Sequence, residues 1–164
     1  MPADPYIVEL HIAEAKDQPM IAVDSVSAVA ERGLIGDRYY NGTGHYSDVA
    51  GWGAQVTLIR LEAIQAINTG YDTDFTGSMM RRNIVTQNIK LDTLIGHEFR
   101  CGEAILRGTK PFPPCAHLAY LLGRKEVLKY FAYCGGIGAD VVVDGSISVG
   151  DTLSIVPATH KNSG

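Results

Sequence analysis

The apolar runs of this chain are short, and glycines sit between them. Eighteen of the 164 residues are glycine, against a usual share of about 7%. Glycine takes the backbone angles of tight turns without steric cost, so a chain punctuated in this way is constrained to many turns and short strands. The expected fold is mainly β. Residues 6–12 alternate, with Ile7, Glu9 and His11 on one face and Val8, Leu10 and Ile12 on the other, as in a half-buried strand that residues 20–23 can pair with. Residues 55–59 read as a strand running into a helix over 60–68, where Leu61, Ile64 and Ile67 fall at helical spacing and Gly70 supplies the stop. Further strands are expected at 81–86 and on either side of Cys101-Gly102, and a hairpin or meander over 137–156 around the turn residues Asp144-Gly145. Residues 116–122 and 124–131 predict two short helices, and residues 71–80 have no defined period.

Two loops stand out. Residues 41–53, bounded by Asn41-Gly42-Thr43-Gly44-His45 and Gly51-Trp52-Gly53, form a long irregular loop of the kind that often carries function, and one expected to close over a site. Pro111-Phe112-Pro113-Pro114 cannot continue a central strand, because proline lacks the N–H, so it fixes an extended loop that delivers Cys115.

Composition narrows the function classes. The length suits a single domain over residues 1–164 with one core and leaves no room for a two-domain enzyme. With 46% hydrophobic and 20% charged residues, neither a disordered nor a membrane protein is expected. A net charge of −4, with only Arg81-Arg82 and Arg124-Lys125 as basic doublets, argues against nucleic-acid binding. The start, Met-Pro-Ala-Asp-Pro-Tyr, lacks the regions of a signal peptide, and a cytoplasmic location is expected. Three cysteines without C-x-x-C spacing make a disulfide framework improbable and leave at least one thiol to account for.

Cys115 is the sharpest candidate for chemistry, since it leaves a rigid proline pair at the start of a predicted helix. A thiolate there is a nucleophile, a carrier of sulfane sulfur as a persulfide, or a soft metal ligand; an inert packed cysteine is the alternative. His117 follows in Cys115-Ala116-His117, a spacing too weak to establish zinc or a Cys-His pair, and reads as a polar residue on a site rim or a helix surface. Cys101 and Cys134 read equally well as structural. Asp37-Arg38 is either a turn-stabilising ion pair or an anchor for an anionic ligand. Arg81, Arg82 and Asn83 alternate faces if they lie on a strand, so that one arginine is solvated and the other is placed to bind a phosphate or carboxylate with the Asn83 amide nearby. Arg124 and Lys110 add anion contacts near Cys115 in sequence, and Tyr39, Tyr40, Tyr46 and Trp52 either stack on a planar ring or pin the loop.

The order of these features resembles the MOSC family, which forms the C-terminal part of molybdenum cofactor sulfurases and also occurs as small stand-alone bacterial proteins. The resemblance rests on Gly33-Leu-Ile-Gly-Asp-Arg38, Gln55-Val-Thr-Leu-Ile59, Arg81-Arg-Asn-Ile-Val85, Leu94-Ile-Gly-His-Glu-Phe99 with Gly102, Pro114-Cys-Ala-His-Leu118, Gly135-Gly136 and Asp144-Gly-Ser-Ile-Ser-Val-Gly-Asp151. It implies a β-barrel with a few short peripheral α-helices. It also implies that Cys115 is the characteristic cysteine, which carries sulfur or binds the molybdenum of the pterin cofactor. In that setting Arg38, Arg81, Arg82, Asn83, His117 and Arg124 are the expected contacts to the molybdenum cofactor (molybdopterin), and the aromatic loop covers the pterin ring. The chain departs from the pattern at Cys134, where relatives commonly carry arginine, and at Ala119, where many carry an acidic residue. The expected activity is sulfur transfer to the cofactor or reduction of N-hydroxylated compounds, with a cysteine desulfurase or an electron-transfer protein as partner and a small-molecule substrate. The rival from another class is a non-catalytic β-barrel module that binds a small anionic ligand or a partner protein.

Overall fold

The structure is a computed structural model and describes residues 3–158. The ends of the expected 1–164 domain, including the first two residues of the segment read for a leader, lie outside these. The strands are β1 (Tyr6–Ile12), β2 (Ile21–Val23), β3 (Ser25–Val29), β4 (Gly33–Leu34), β5 (Val56–Arg60), β6 (Ile84–Gln87), β7 (Glu98–Cys101), β8 (Ala104–Pro111), β9 (Ile137–Val143), β10 (Gly145–Ser148) and β11 (Leu153–Ile155). The helices are α1 (Arg38–Asn41), α2 (Leu61–Tyr71), α3 (Ala116–Leu122) and α4 (Glu126–Tyr130). None is long and apolar enough to cross a membrane among the described residues.

Eight strands make one sheet in the order β11-β7-β8-β9-β5-β6-β1-β2, and β10-β3-β4 make a second. The expected mainly β fold with few helices is observed. The barrel is not: the ladder order is open, ending at β11 and β2. The backbone instead ties β1 to the segment before β11, through Ile7 N donating to the Asp151 carbonyl at 2.9 Å and Gly150 N to the Ile7 carbonyl at 2.8 Å. All pairings in the large sheet are antiparallel except β5 with β6. That pair is parallel because α2 is the crossover between the two strands, a connection that a tight turn cannot make.

The apolar side chains divide into two clusters. One lies inside the curled sheet and contains Ile7, Leu10, Leu58, Ile84, Phe99 and Leu106; the other, with Ile59, Val85, Leu118, Val127 and Phe131, packs the opposite face of β5 and β6 under the helices. Leu58 and Ile84 thus serve one core and the adjacent Ile59 and Val85 the other, which is why each strand carries two neighbouring apolar residues instead of strict alternation.

Four local expectations change. A register shift between Ile7 and Glu9 lets Ile7 and Leu10 enter the same cluster while Val8 joins the other, so simple alternation fails in β1. Helix α2 passes through Gly70 and stops at Asp72, which takes the left-handed conformation at φ 54°. The strand expected from 81 begins only at Ile84, because Arg81 has φ 56°, outside any strand geometry. Asp144-Gly145 is not a hairpin turn: β9 stays in the large sheet while β10 pairs with β3, and the Asp144 carboxylate accepts from Ala30 N at 2.6 Å.

Candidate functional site

The cysteine loop is held by the glycine pair. Phe112 N donates to the Gly136 carbonyl at 2.8 Å. A Cβ on Gly135 would meet the Phe112 carbonyl oxygen at 2.8 Å and Pro114 Cδ at 2.9 Å, and one on Gly136, at φ 103°, would collide with the Leu58 carbonyl. Only residues without side chains let the proline segment lie this close to β5. Cys115 then caps α3 with extended angles, φ −115° and ψ 169°, and its side chain makes no capping bond. Leu118 and Ala119, buried in the helix-side core, anchor the helix, so the half-buried sulfur faces a cleft rather than the helix end.

Arg38, Arg81 and Arg82 line that cleft with Cys115, His117, Lys16, His45 and Tyr46. Asp37, fully buried, is the N-cap of α1; its Oδ1 accepts from Ala13 N at 3.1 Å, Asn83 Nδ2 at 3.2 Å and Arg38 Nη1 at 3.0 Å. Arg38 Nη2 donates to the Arg81 carbonyl at 3.1 Å, and the Arg81 guanidinium to the carbonyls of Gln18 and Lys16 at 2.7 and 2.9 Å. Arg82 has no carboxylate partner among the described residues: Nε, Nη1 and Nη2 donate to the carbonyls of Gly135, Met80 and Phe112 at 2.9, 3.0 and 2.9 Å. Burial pulls Arg82 down to about 10, and the nearby Arg38 charge acts in the same sense. Burial and then Arg38 also lower Arg81. Among the described residues only Arg38 of these three arginines is paired with a carboxylate, Asp37, so the cleft carries an excess of positive charge, buried at Arg82 and half-buried at Arg81, that an anion would relieve.

The long loop covers the sulfur. Tyr46 is pushed up to about 12, first by the neighbouring Cys115 side chain and then by burial. Its ring stacks on Trp52 at 4.1 Å, and Trp52 meets Phe112 edge-on at 5.8 Å with Lys110 Nζ 3.6 Å above it. His45 stacks on His117 at 4.0 Å with planes 6° apart. His117 Nε2, 3.5 Å from Asp17 Oδ1, is buried without a hydrogen bond. With the loop in this position the open volume of the arginine-lined cleft is about 40 Å³, while on its outer side Cys115 borders a cavity of about 250 Å³.

The structure brings together Cys115, Arg38, Arg81, Arg82 and His117. Both adjacent arginines reach the cleft because the left-handed turn at Arg81 breaks the alternation of faces that a strand would impose. Asn83 and Arg124 are elsewhere. Asn83 is fully buried and bonded to Thr57, the His11 carbonyl and Asp37, so it supports the cleft without lining it. Arg124 is paired with Asp74 at 2.7 Å and lies 5.0 Å over Phe75. Lys110 borders the outer side of Cys115, with Trp52 and Pro113. Cys101 is a core residue whose thiol burial pushes far up; Cys134, also pushed up by burial, donates to the Tyr130 carbonyl at 3.7 Å and lines a separate cleft beside Arg60. Lys16 and His45 belong to the site without having been singled out in the sequence. His45 had a signal, its place beside Tyr46 in the glycine-bounded loop; Lys16 had none.

Among the described residues no three His, Cys, Asp or Glu side chains converge on a point that could hold a metal. A metal at Cys115 would therefore bring most of its own ligands. The donor set fits a metal-bearing anionic cofactor of that kind: one soft sulfur, buried guanidinium groups short of carboxylate, and an unpartnered imidazole nitrogen.

No curated protein matches the chain in sequence. Among solved structures it is similar to the YuaD protein from Bacillus subtilis, with a TM-score of 0.73 and 16% identity over 91% of this chain and 94% of that one. It is also similar to YiiM from Geobacillus stearothermophilus, with a TM-score of 0.70 and 17% identity over 93% and 75% of the two chains. For YiiM from Escherichia coli the corresponding values are 0.69, 19%, 94% and 71%. These likenesses concern the fold. The MOSC domain profile matches residues 41–154, which hold the covering loop, Arg81, Arg82, the proline segment, Cys115 and the glycine pair. The chain belongs to the MOSC domain family.

Proposed function

We propose that this protein binds the molybdenum cofactor, with Cys115 as the ligand of its molybdenum or as a carrier of sulfur for it. The observation that carries this reading is the pairing of one cleft-facing sulfur with a buried arginine cluster short of carboxylate. Arg38, Arg81 and Arg82 hold the phosphate of the cofactor, Lys16 adds charge at the rim, and His117 offers a hydrogen bond through Nε2. Tyr46, Trp52 and the rest of the loop exclude water once the cofactor is in place. When bound, the cofactor supplies two-electron redox chemistry at its metal.

Two activities fit. In the first, Cys115 anchors the cofactor of a reductase of N-hydroxylated compounds that takes electrons from a separate protein. In the second, the Cys115 thiolate attacks the terminal sulfur of a persulfide on a cysteine desulfurase; the donor S–S bond breaks, the donor cysteine leaves as thiolate, and Cys115 carries the extra sulfur as its own persulfide. Both are expected in the cytoplasm. The test is metal and pterin analysis of wild type and Cys115→Ser purified from a host that makes the cofactor, with intact-mass measurement on the same samples. Molybdenum and pterin held by wild type and lost from the variant establish the first role. A sulfur adduct of about 32 Da on wild type alone establishes the second. Absence of cofactor and adduct from wild type would leave a binding module in their place.

A further inference from the structure

Beyond the cysteine cleft lies a second cavity, and the two share a wall made of Tyr39 and Tyr46. Its open volume is about 390 Å³, within the range of roughly 300–1,000 Å³ usual for small-molecule sites. It needs no loop movement to admit a ligand. Tyr40, Tyr46 and Trp52 supply flat apolar surface, and the Arg32 guanidinium lies 4.0 Å over the Tyr40 ring. Gln55 and Asp140 supply a polar edge. Gln55 Oε1 accepts from Val141 N at 3.0 Å, so the group Gln55 has left to offer is its amide NH₂. Asp140 Oδ1 accepts a long bond, 3.4 Å, from Gln55 N, and the rest of its carboxylate has no partner among the described residues. Trp52 Nε1 is buried and unpartnered.

Donors and acceptors in that order select a ligand class. A carboxylate beside an amide NH₂ is complementary to a ring edge that presents two N–H groups and then a carbonyl oxygen, and aromatic walls favour a planar ring. Glu31 and Asp140 in the same lining disfavour a phosphate, which belongs with the arginines on the other side of the tyrosine wall. We infer that this cavity seats a planar 2-amino-4-oxopyrimidine ring, with Asp140 accepting from the amino and ring N–H groups and Gln55 donating to the oxo group. The inference rests on the proposed function, since it makes the cavity the seat of the ring end of the same cofactor. Pterins and guanines share this edge, and the experiment separates them.

The test is calorimetric titration of the full chain with three metal-free probes: 6-hydroxymethylpterin, the 2-oxo analogue lumazine, and guanosine. The variants are the near-isosteric Asp140→Asn and, as a control at an exposed position away from both cavities, Ser154→Ala, each checked for an unchanged thermal transition. Trp52, the single tryptophan, gives a second readout through its fluorescence. Wild type is expected to bind the pterin about tenfold or more tightly than lumazine, because a site built to accept from the amino group leaves its carboxylate unpaired without it. Asp140→Asn is expected to lose about tenfold in pterin affinity and the preference over lumazine, while Ser154→Ala changes neither. Equal pterin affinity in wild type and Asp140→Asn, or no binding by wild type, overturns the inference. Tighter binding of guanosine than of pterin, with the same dependence on Asp140, overturns its link to the cofactor and gives the site to a nucleoside. The two readings fail separately: cofactor retained through Cys115 and indifferent to Asp140 sinks only the ring site, whereas Asp140-dependent pterin binding by a protein that never acquires molybdenum sinks only the proposed function.

Discussion

The side-chain amide of Asn83, with no exposed surface, accepts from Thr57 N and Oγ1 at 3.0 and 3.2 Å and donates to the His11 carbonyl and Asp37 Oδ1 at 3.1 and 3.2 Å. It joins β1, β5 and the turn that carries Arg38, and so holds the arginine cluster in place from behind. Asn83→Ala would strand several buried polar groups, each costing about 1–3 kcal/mol. A loss of about 2–4 kcal/mol in stability by urea unfolding is expected, a large share of a typical total; a change under 1 kcal/mol would show that water replaces the amide. The cysteines divide in a way that can be measured as well. Burial holds the Cys101 thiol far above its ordinary pKa, so it is expected to resist alkylation until denaturant unfolds the chain. Labelling of Cys101 in native protein, seen by peptide mapping, would contradict its placement in the core.

The covering loop meets the cysteine helix through the stack of His45 on His117 rather than through ladder bonds. His45 on the loop faces His117, Lys16 and Asp17; its pKa lies below 6.5 because of burial first, then the charges of His117 and Lys16, with Asp17 opposing. A closed loop that depresses a histidine pKa takes up its proton at lower pH than the open loop does. The closed position is therefore fully favoured above about pH 6.5 and loses ground as pH falls through the depressed value. Trp52 stacks on Tyr46 next to His45 and reports the change. Its fluorescence is expected to shift between about pH 7.5 and pH 5.5, with a smaller amplitude in His45→Gln. The same amplitude in that variant would show that His45 is not the latch.

Across the whole molecule the net charge is −4, yet the cysteine cleft is locally positive, because Arg82 donates to backbone carbonyls and has no carboxylate partner among the described residues, and Arg38 shares the buried Asp37. An anion that binds the folded chain alone raises its stability by mass action, about 2.7 kcal/mol at a hundredfold excess over its dissociation constant. Phosphate is therefore expected to raise the melting temperature above that in chloride of equal ionic strength, and Arg81→Gln to reduce the increment. An identical increment in the variant would place the phosphate elsewhere. The two cores share β5 and β6, so loss of the helix-side packing also exposes the sheet interior. Phe131→Ala, at a fully buried side chain, is expected to cost about 3–5 kcal/mol and to lower one cooperative transition rather than split it, as coincident near- and far-ultraviolet dichroism would show.

Much of this was legible in the sequence. Local pattern determined the strands around Cys101-Gly102, the strand-to-helix step at Arg60, the short helices after Gly123 and before it, and the proline segment that presents Cys115, because turns, caps and proline constraints act over a few residues. The ordered motifs determined the family, since they carry the backbone requirements of a shared fold. What tertiary structure decided depends on contacts distant in the chain. The open ladder order, the change of sheet after Asp144 and the bulge in β1 follow from which strand lies alongside, and no residue pattern within a strand encodes its neighbour. The same holds at the site: a left-handed Arg81 sends both arginines inward, while Asp74 takes Arg124 away and Asp37 takes Asn83. Charge and spacing list the groups able to hold an anion; competition among buried partners selects which of them remain to do so.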